Sequence, residues 1–210
     1  MAPGLNAPYS DLYPCLDDRA SSTPFDPHYF FQAAWIARRL ADRRPPTHVD
    51  VGSSVYMLSV LSAYQETTFL DYRPLQVSLP GLTCIAGTVT ALPFASSSLD
   101  SVSSLHVLEH IGLGRYGDPL DPQGSARGCS ELARVLSPGG RLYVSVPVGR
   151  ERVCFNAHRV FSPSTIVNLL PELNLVEFSL IDDARAFHHG VSPRSAEGLE
   201  YGCGLFEFTK

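Results

Sequence analysis

The sequence predicts an α/β fold: a doubly wound, mainly parallel sheet with helices on both faces and an antiparallel last strand. Between residues 47 and 147, apolar runs of strand length alternate with segments whose apolar residues follow helical spacing, which is the pattern of βαβ units. Most of these runs end in a glycine or a polar residue, and open α/β sheets bind ligands at that end of their strands. The chain is therefore expected to hold a small polar ligand at one edge of its sheet.

The N-terminal part is predicted to be an irregular arm, since residues 1–27 are rich in Pro, Ser and Asp. Residues 28–210 are predicted to form a single domain. The first helix is expected to start near Asp26, a residue type favoured as N-cap, with Pro27 tolerated just inside the start. Pro45 and Pro46 end this helix. The arm could cover a site or pack on the outside of the sheet, and both alternatives stay open.

The remaining elements follow from the same patterns. Strands are predicted up to Gly52, at 67–71, at 83–86, from 99, at 141–147, at 175–181 and at 204–208. Helices are predicted at 55–64, near 125–136 and at 161–170, the last with Ser162 as N-cap and Pro163 inside its start. A long loop rich in Gly, Pro and Asp spans 112–124. Because a single loop joins the last two strands, the final strand is expected to pair antiparallel.

Composition and charge restrict the function. A chain of 210 residues with 44% hydrophobic residues can bury a sizeable core, and its net charge of −5 argues against nucleic acid as a partner. No apolar run reaches the ~18 residues that span a bilayer, so no membrane insertion is expected. The N-terminus lacks a signal-peptide pattern, which predicts a cytoplasmic protein. Five scattered cysteines without CxxC spacing predict reduced thiols and no zinc site.

Two local features favour a nucleotide-like cofactor. The turn after the first strand carries Asp50, Gly52 and Ser54, and glycine permits close approach of the backbone to a ligand. Asp71 ends the second strand about twenty residues later, where a carboxylate can accept both hydroxyls of a ribose. Either feature alone is a weak signal, but the two together favour a cofactor site.

The segment from about 45 to 181 resembles the class I S-adenosylmethionine-dependent methyltransferases, whose fold is Rossmann-like. The strings that carry the resemblance are VDVG at 49–52, FLD at 69–71, GT at 87–88 with LPF at 92–94, SLDSV at 98–102, VLEHI at 107–111 and LARVLSPGG at 132–140. The segment HVLEHIGLGRYGDPLDP at 106–122 is similar to that of a poorly characterised bacterial branch of this superfamily.

The resemblance implies where S-adenosylmethionine would bind. The expected contacts are Asp50, Gly52 and Ser54 at the methionine part, Leu105 and His106 near the sulfonium, Asp71 at the ribose hydroxyls, and Tyr72, Thr88 and Val89 around the adenine.

Two positions depart from the family's pattern. The usual G-x-G is Gly52-Ser53-Ser54 in this chain, which narrows the approach of the ligand. The usual acidic residue of the third strand is Thr88, which accepts only weakly from an adenine amino group.

Methyl transfer requires a protein to align the acceptor and to take its proton, and histidine suits the second task at neutral pH. The candidate catalytic residues are His158, in a polar loop at the expected mouth of the site, and His110 with its neighbour Glu109. A capping or core role for His110 stays open. The candidate substrate-binding residues are Asn156, Arg159, Arg115 and Tyr116. Metal binding by Glu109, His110, Asp118 and Asp121 is not favoured, because loops rich in Asp and Gly are usually solvated turns.

The leading prediction is an S-adenosylmethionine-dependent methyltransferase with a small-molecule acceptor, an O-methyltransferase acting on a sugar, a lipid or a secondary metabolite, with a homodimer as an option. The alternative is a catalytically inactive, methyltransferase-like binding protein, which the two departures motivate. A nicotinamide-dependent oxidoreductase is disfavoured because the first turn lacks G-x-G-x-x-G.

Overall fold

A computed structural model describes residues 7–210. Its helices are α1 (Pro27–Arg43), α2 (Val55–Leu61), α3 (Gly124–Val135) and α4 (Pro163–Leu169). Its strands are β1 (His48–Val51), β2 (Thr67–Asp71), β3 (Leu82–Ala86), β4 (Leu99–Leu105), β5 (Leu136–Val148), β6 (Arg152–Cys154), β7 (His158–Val160), β8 (Asn174–Ile181), β9 (Phe187–His188) and β10 (Gly202–Thr209).

Eight strands form one sheet in the order β3-β2-β1-β4-β5-β10-β8-β9. The strands from β3 to β5 pair parallel, whereas β10 pairs antiparallel with both β5 and β8. The predicted fold class, with its antiparallel last strand, is confirmed. Since the chain leaves β1 toward β2 and β3 and then returns to the other side with β4, strand order reverses between β1 and β4. A ligand site is expected at the carboxyl ends of these two strands.

Helices cover both faces of the sheet. On one face, Trp35, Ile36 and Leu40 of α1 pack with Leu58 of α2 in one core cluster. On the other face, α3 and α4 contribute to a second cluster through residues such as Leu132. Both faces of the central strands are thereby removed from water, which is why β1 is buried along its whole length.

The helix starts agree with the capping chemistry of the sequence. The Asp26 carboxylate accepts from the backbone N–H groups of His28 and Tyr29, and Pro27 opens α1. Ser162 likewise accepts from the Thr165 N–H at the start of α4. These caps satisfy amide groups that have no partner within the helix.

The structure differs from the sequence-based expectation between residues 149 and 161. A polar loop was expected there, but β6 and β7 form an antiparallel hairpin with Cys154 opposite His158. Each strand has three residues, which is too short to show an alternating pattern. The strand β5 also starts earlier than predicted, at Leu136, and it runs through the Pro-Gly-Gly turn.

Residues 7–26 of the predicted arm are exposed, and residues 1–6 lie outside the described part of the chain. None of the helices in residues 7–210 combines the length and the apolar character that a bilayer crossing requires.

Candidate functional site

A pocket of about 440 Å³ lies at the carboxyl edge of the sheet, at the reversal between β1 and β4. It is lined by Val51, Gly52, Leu70, Asp71, Tyr72, Arg73, Gly87, Thr88, Val89, Thr90, His106, Val107, His110, Ile111, Gly112, Tyr116, Asp118, Pro119, Asp121 and Arg127. This volume is in the usual range for small-molecule sites. Of the nine residues expected to contact a cofactor, six line this pocket.

The loop after β1 has the conformation that a close-approaching ligand needs. Gly52 has φ +74°, and a Cβ at this position would lie 3.2 Å from both methyl groups of Val107. A residue with a side chain would have a strained backbone at this φ, and its Cβ would crowd Val107 in the pocket wall. Glycine is therefore required at this position. Ser54 has φ −64° and ψ 122°, which any residue adopts. The departure from G-x-G therefore leaves the loop conformation unchanged.

Asp50 shapes this loop from within the core. It is fully buried, its carboxylate accepts from the Ser53 N–H at 3.0 Å, and it also accepts from the Ser103 hydroxyl. Burial raises the pKa of Asp50 to about 6 against these hydrogen bonds. Ser53 in turn accepts from the Leu105 N–H. Asp50 and Leu105 lie outside the pocket lining, as does Ser54, so the first two act through the loop rather than by direct contact.

Asp71 points a carboxylate oxygen into the pocket. Its Oδ1 accepts from the Arg73 N–H at 2.7 Å, while its Oδ2 lies 3.7 Å from the position of a Cβ on Gly52. No hydrogen bond from the described residues reaches Oδ2. Thr88, beyond the next strand, has its hydroxyl within 3.0 Å of the Thr90 hydroxyl. The pocket therefore presents a free carboxylate oxygen beside two threonine side chains.

The loop between β4 and α3, residues 106–123, lines the pocket and is called the pocket loop below. The Arg73 guanidinium lies 4.5 Å from the centroid of the Tyr116 ring, and Arg115 lies 5.1 Å from the same ring. The loop is held by Asp118, which accepts from the Gly112 N–H at 2.7 Å. Arg127 pairs with Asp121, so both aspartates serve the loop and no metal cluster forms from them.

His106 lies at the end of β4 with φ +56°, an unfavourable conformation for a non-glycine residue. Its Nδ1 lies 2.7 Å from Oε1 of Glu109, and its Nε2 lies 3.4 Å from Sγ of Cys203. Burial lowers the pKa of His106, but Cys203 and Glu109 together raise it well above 6.5. Glu109 is fully buried, and its Oε2 has no hydrogen-bond partner among the described residues.

Two rings from the first turn of α1, those of His28 and Tyr29, lie beside His106. The His28 ring, from the first turn of α1, stacks on the His106 ring with centroids 5.6 Å apart. Tyr201 stacks on the His28 ring and also contacts His158. Burial and the charge of His106 lower the pKa of His28 to about 4, so His28 is neutral at pH 7.

His110 lines the pocket and has a defined orientation. Its Nδ1 lies 2.7 Å from the carbonyl oxygen of Ala157, which can only accept, so Nδ1 donates. Its Nε2, which carries the lone pair of the neutral ring, lies 3.7 Å from Oε1 of Glu109. The Glu109 carboxylate thus contacts His106 and lies near His110. Because His110 lines the pocket, it is placed to exchange a proton there.

The other predicted catalytic and substrate residues lie at the rim. His158 is outside the lining, and burial together with His110 lowers its pKa. Asn156 is exposed in the turn of the β6–β7 hairpin. Arg115 donates to the Ala157 carbonyl, while Arg159 donates to the Ile111 carbonyl at 2.7 Å and the Ser125 hydroxyl at 3.2 Å. Arg159 therefore supports the loop after β4 and does not face the pocket.

Sequence reasoning missed three residues of this site, His28, Tyr201 and Cys203. His28 lies far along the chain from Tyr201 and Cys203, and they become neighbours only because α1 and β10 both pack beside the end of β4. The one local signal is the aromatic-rich start of α1, which contains His28.

Comparisons with known proteins agree on the fold. A putative sarcosine dimethylglycine methyltransferase from Galdieria sulphuraria is 16% identical over 86% of each chain, with a TM-score of 0.62. The N-methyltransferase NodS from Bradyrhizobium japonicum, solved with S-adenosyl-L-homocysteine, is 17% identical over 88% of each chain, with a TM-score of 0.58. The [4+2]-cyclase SpnF is 13% identical over 84% of this chain and 80% of that one, with a TM-score of 0.59. At such identities the likeness establishes the fold alone, a Rossmann-like α/β fold.

A family model described as a Caenorhabditis protein of unknown function, DUF268, matches residues 89–185. This segment spans β4, the pocket loop, α3, α4 and β8. No curated protein matches the chain. The bacterial branch predicted from the 106–122 segment is not confirmed.

Proposed function

We propose that this protein is an S-adenosylmethionine-dependent methyltransferase with a small-molecule acceptor. The observation that carries the proposal is the free Oδ2 of Asp71, which lies beside the left-handed Gly52 at the point where strand order reverses. A carboxylate there can accept from both hydroxyls of a ribose, and a loop without a Cβ leaves room for the chain attached to that sugar. The residues present therefore fit this cofactor.

The remaining pocket residues suit the other parts of the cofactor. Tyr72, which is half exposed, and Val89, which is buried, offer apolar surfaces to the adenine ring. Thr88 takes the position of the family's acidic residue, and its hydroxyl already interacts with Thr90. The adenine amino group thus gains a weaker partner. His106 and Val107 lie at the opposite end, where the sulfonium is expected.

When bound, S-adenosylmethionine supplies a methyl group on an electrophilic sulfonium, which leaves the protein to orient the acceptor and remove its proton. His110 is best placed for this step because it lines the pocket and its Nδ1–H donates to Ala157. The free Nε2 can accept a proton, and the Glu109 carboxylate 3.7 Å away stabilises the resulting imidazolium. His158, predicted from the sequence as the base, lies further out beside Tyr201.

A hydroxyl acceptor is favoured because such an acceptor needs a base, and the pocket provides one. Within this proposal the acceptor belongs to a sugar, a lipid or a secondary metabolite, with Arg115 and Tyr116 of the pocket loop near its entry. A cytoplasmic location and an optional homodimer are parts of the same proposal.

The first test is calorimetric titration with S-adenosylmethionine and S-adenosylhomocysteine. We expect Asp71→Asn to weaken binding about 10- to 100-fold, because charge-assisted hydrogen bonds are lost. Asp100→Asn is the matched control, since Asp100 lies at the amino end of β4, away from the pocket. If the wild-type protein binds neither compound, the methyltransferase assignment is wrong and the inactive binding protein takes its place.

The base is tested separately once an acceptor is found. We expect His110→Gln to lower kcat by about 10²- to 10⁴-fold with cofactor binding retained. His158→Gln is expected to have a smaller effect. The reverse order of these two effects would assign the base to His158.

A further inference from the structure

Three potential metal ligands meet beside the pocket. They are His28 in the first turn of α1, His106 after β4 and Cys203 in β10, and their ligand atoms all lie within 4.8 Å of one another. Among residues 7–210 this group alone brings three such side chains together at this distance. His28 and Cys203 belong to regular elements, and His106 directly follows the last residue of β4.

We propose that His28, His106 and Cys203 bind a Zn²⁺ ion, with the fourth coordination position open. The proposal concerns these residues alone and does not depend on the proposed methyltransferase activity.

The distances suit tetrahedral zinc. With Zn–S of about 2.3 Å and Zn–N of about 2.0–2.1 Å, neighbouring ligand atoms in a tetrahedron are about 3.4–3.6 Å apart. Sγ of Cys203 and Nε2 of His106 are already 3.4 Å apart. The His28 nitrogen, within 4.8 Å of both, completes the set after a rotation of this half-buried side chain out of its stack on the His106 ring.

Glu109 provides independent support because it orients His106 as metal-binding histidines are usually oriented. Metal-bound histidines commonly donate their second ring N–H to a carboxylate, which fixes the tautomer. Nδ1 of His106 lies 2.7 Å from Oε1 of Glu109 and its Nε2 lies 3.4 Å from Sγ of Cys203, so a metal ion that displaces the Nε2 proton meets a lone pair on the Cys203 side of the ring. Glu109 is fully buried with Oε2 unpartnered in the described chain, and a nearby cation would compensate this charge.

The backbone also holds these side chains in place. His106 is kept at φ +56°, a conformation that costs free energy and is retained where a fold needs a side chain in a particular direction. Cys203 is fully buried and paired on both sides, to Pro147 in β5 and to Ile181 in β8. Asp26 fixes the start of α1, two residues before His28.

The donor set indicates which metal is bound. One thiolate and two imidazoles suit zinc, whereas magnesium and calcium require oxygen ligands. Structural zinc sites have four protein ligands, but this one has three. Since His106 also lines the pocket, the open position adjoins it, and a water or a ligand heteroatom can occupy it. The Cys203 thiol and the Nε2–H of the His106 ring each release a proton to solvent when the zinc–sulfur and zinc–nitrogen bonds form.

The experiment uses the full chain purified without a histidine tag. Elemental analysis measures its zinc content, and the metal-free protein is titrated with Co²⁺ as a spectroscopic substitute. We expect one zinc per chain, the visible bands of tetrahedral cobalt and a thiolate-to-cobalt charge-transfer band in the near ultraviolet. Added Zn²⁺ should displace the cobalt.

Variants assign the ligands. Cys203→Ser should abolish the charge-transfer band, whereas Cys154→Ser, which alters a cysteine of β6 outside the group, should leave it unchanged. His28→Gln, a change at a partly exposed position, should retain the fold and weaken cobalt binding at least tenfold. Glu109→Gln should weaken it about 10- to 100-fold. Circular dichroism checks that each variant is folded.

Two results would overturn the proposal. The first is wild-type protein without stoichiometric zinc and without a cobalt spectrum, which would leave a metal-free thiol–imidazole contact. The second is a charge-transfer band that survives in Cys203→Ser, or wild-type cobalt binding without that band, either of which excludes Cys203 as a ligand. Binding of S-adenosylmethionine, measured separately, reports on the proposed function and not on this site.

Discussion

Nε2 of His48 lies 2.9 Å from Oγ of Ser103, inside the sheet and away from solvent. The Ser103 hydroxyl donates to Asp50, so it must accept from His48, and His48 therefore carries its proton on Nε2. Its Nδ1 then accepts from the Ser101 hydroxyl at 2.8 Å. A neutral histidine in this tautomer satisfies the whole chain of hydrogen bonds, and a second proton would leave Ser101 facing a donor.

This relationship predicts that acid destabilises the fold. Burial lowers the pKa of His48 from 6.5 to about 3. Below pH 6.5 the unfolded chain binds a proton at His48, whereas the folded protein does not bind one until about pH 3. The neutral His48 therefore contributes its full stabilisation above pH 6.5. As pH falls toward 3, it is lost at about 1.4 kcal/mol per pH unit. Urea unfolding of the wild type and His48→Gln between pH 7 and 5 measures this contribution as the difference between the slopes of the two stability profiles.

The pH dependence of stability that Asp50 contributes has the opposite sign to that of His48, so Asp50 is the matched control. Because burial raises its folded pKa from 3.8 to about 6, the folded state binds more protons between these values. Its contribution is therefore present below pH 3.8 and lost as pH rises through 6. In Asp50→Asn the free energy of unfolding should fall more steeply than in the wild type as pH decreases below 6. In His48→Gln it should fall less steeply. Equal profiles for the two variants would contradict both assignments.

The N-cap of α1 is expected to contribute measurably to stability. The Asp26 carboxylate accepts from the His28 N–H at 2.9 Å and the Tyr29 N–H at 3.3 Å. Asp26→Ala should lower the free energy of unfolding by about 1 kcal/mol, because two amide groups lose their acceptor. Asp26→Asn retains a side-chain acceptor and should recover most of this loss. Urea titration compares the three proteins, and an equal loss in both variants would point to charge instead of capping.

Gly112 is expected to be intolerant of a side chain. It has φ +79°, and a Cβ would lie 2.1 Å from the carbonyl oxygen of Asp121. Gly117 in the same loop has φ +85° but open space around a Cβ. Gly117→Ala should lower the free energy of unfolding by about 1–2 kcal/mol, because alanine is strained in the left-handed conformation. Gly112→Ala adds a clash with the backbone and should lower it further. Thermal unfolding and proteolysis of the loop distinguish them, and similar behaviour of both variants would exclude a close backbone contact.

The Arg73–Tyr116 contact is expected to hold the pocket loop over the cofactor. A cation–π contact is worth about 0.5–2 kcal/mol, so Tyr116→Ala should weaken S-adenosylhomocysteine binding about 2- to 30-fold. Tyr116→Phe keeps the ring and should bind as the wild type does. Tyr56→Ala, at an exposed tyrosine of α2, is the control. Calorimetry provides the affinities, and unchanged binding in Tyr116→Ala would show that the loop closes by other contacts.

Much of the fold is predictable from local patterns. The strand ends at Gly52 and Asp71 and the capped starts of α1 and α4 depend on neighbouring residues, because periodicity, N-caps and left-handed glycines act over a few positions. The same holds for the position of β10, whose apolar run is long. By contrast, the hairpin of β6 and β7 has three residues per strand and too few positions for a pattern.

The sequence by itself determined the α/β class, the parallel pairing of the early strands and the edge of the sheet that carries the pocket, since all of these follow from local periodicity and short connections. Only the tertiary structure decided that His28, His106 and Cys203 meet and that Arg159 supports a loop. The insertion of β10 between β5 and β8 brings Cys203 to His106, and α1 brings His28. Such contacts join residues far apart in the chain, so no local spacing records them.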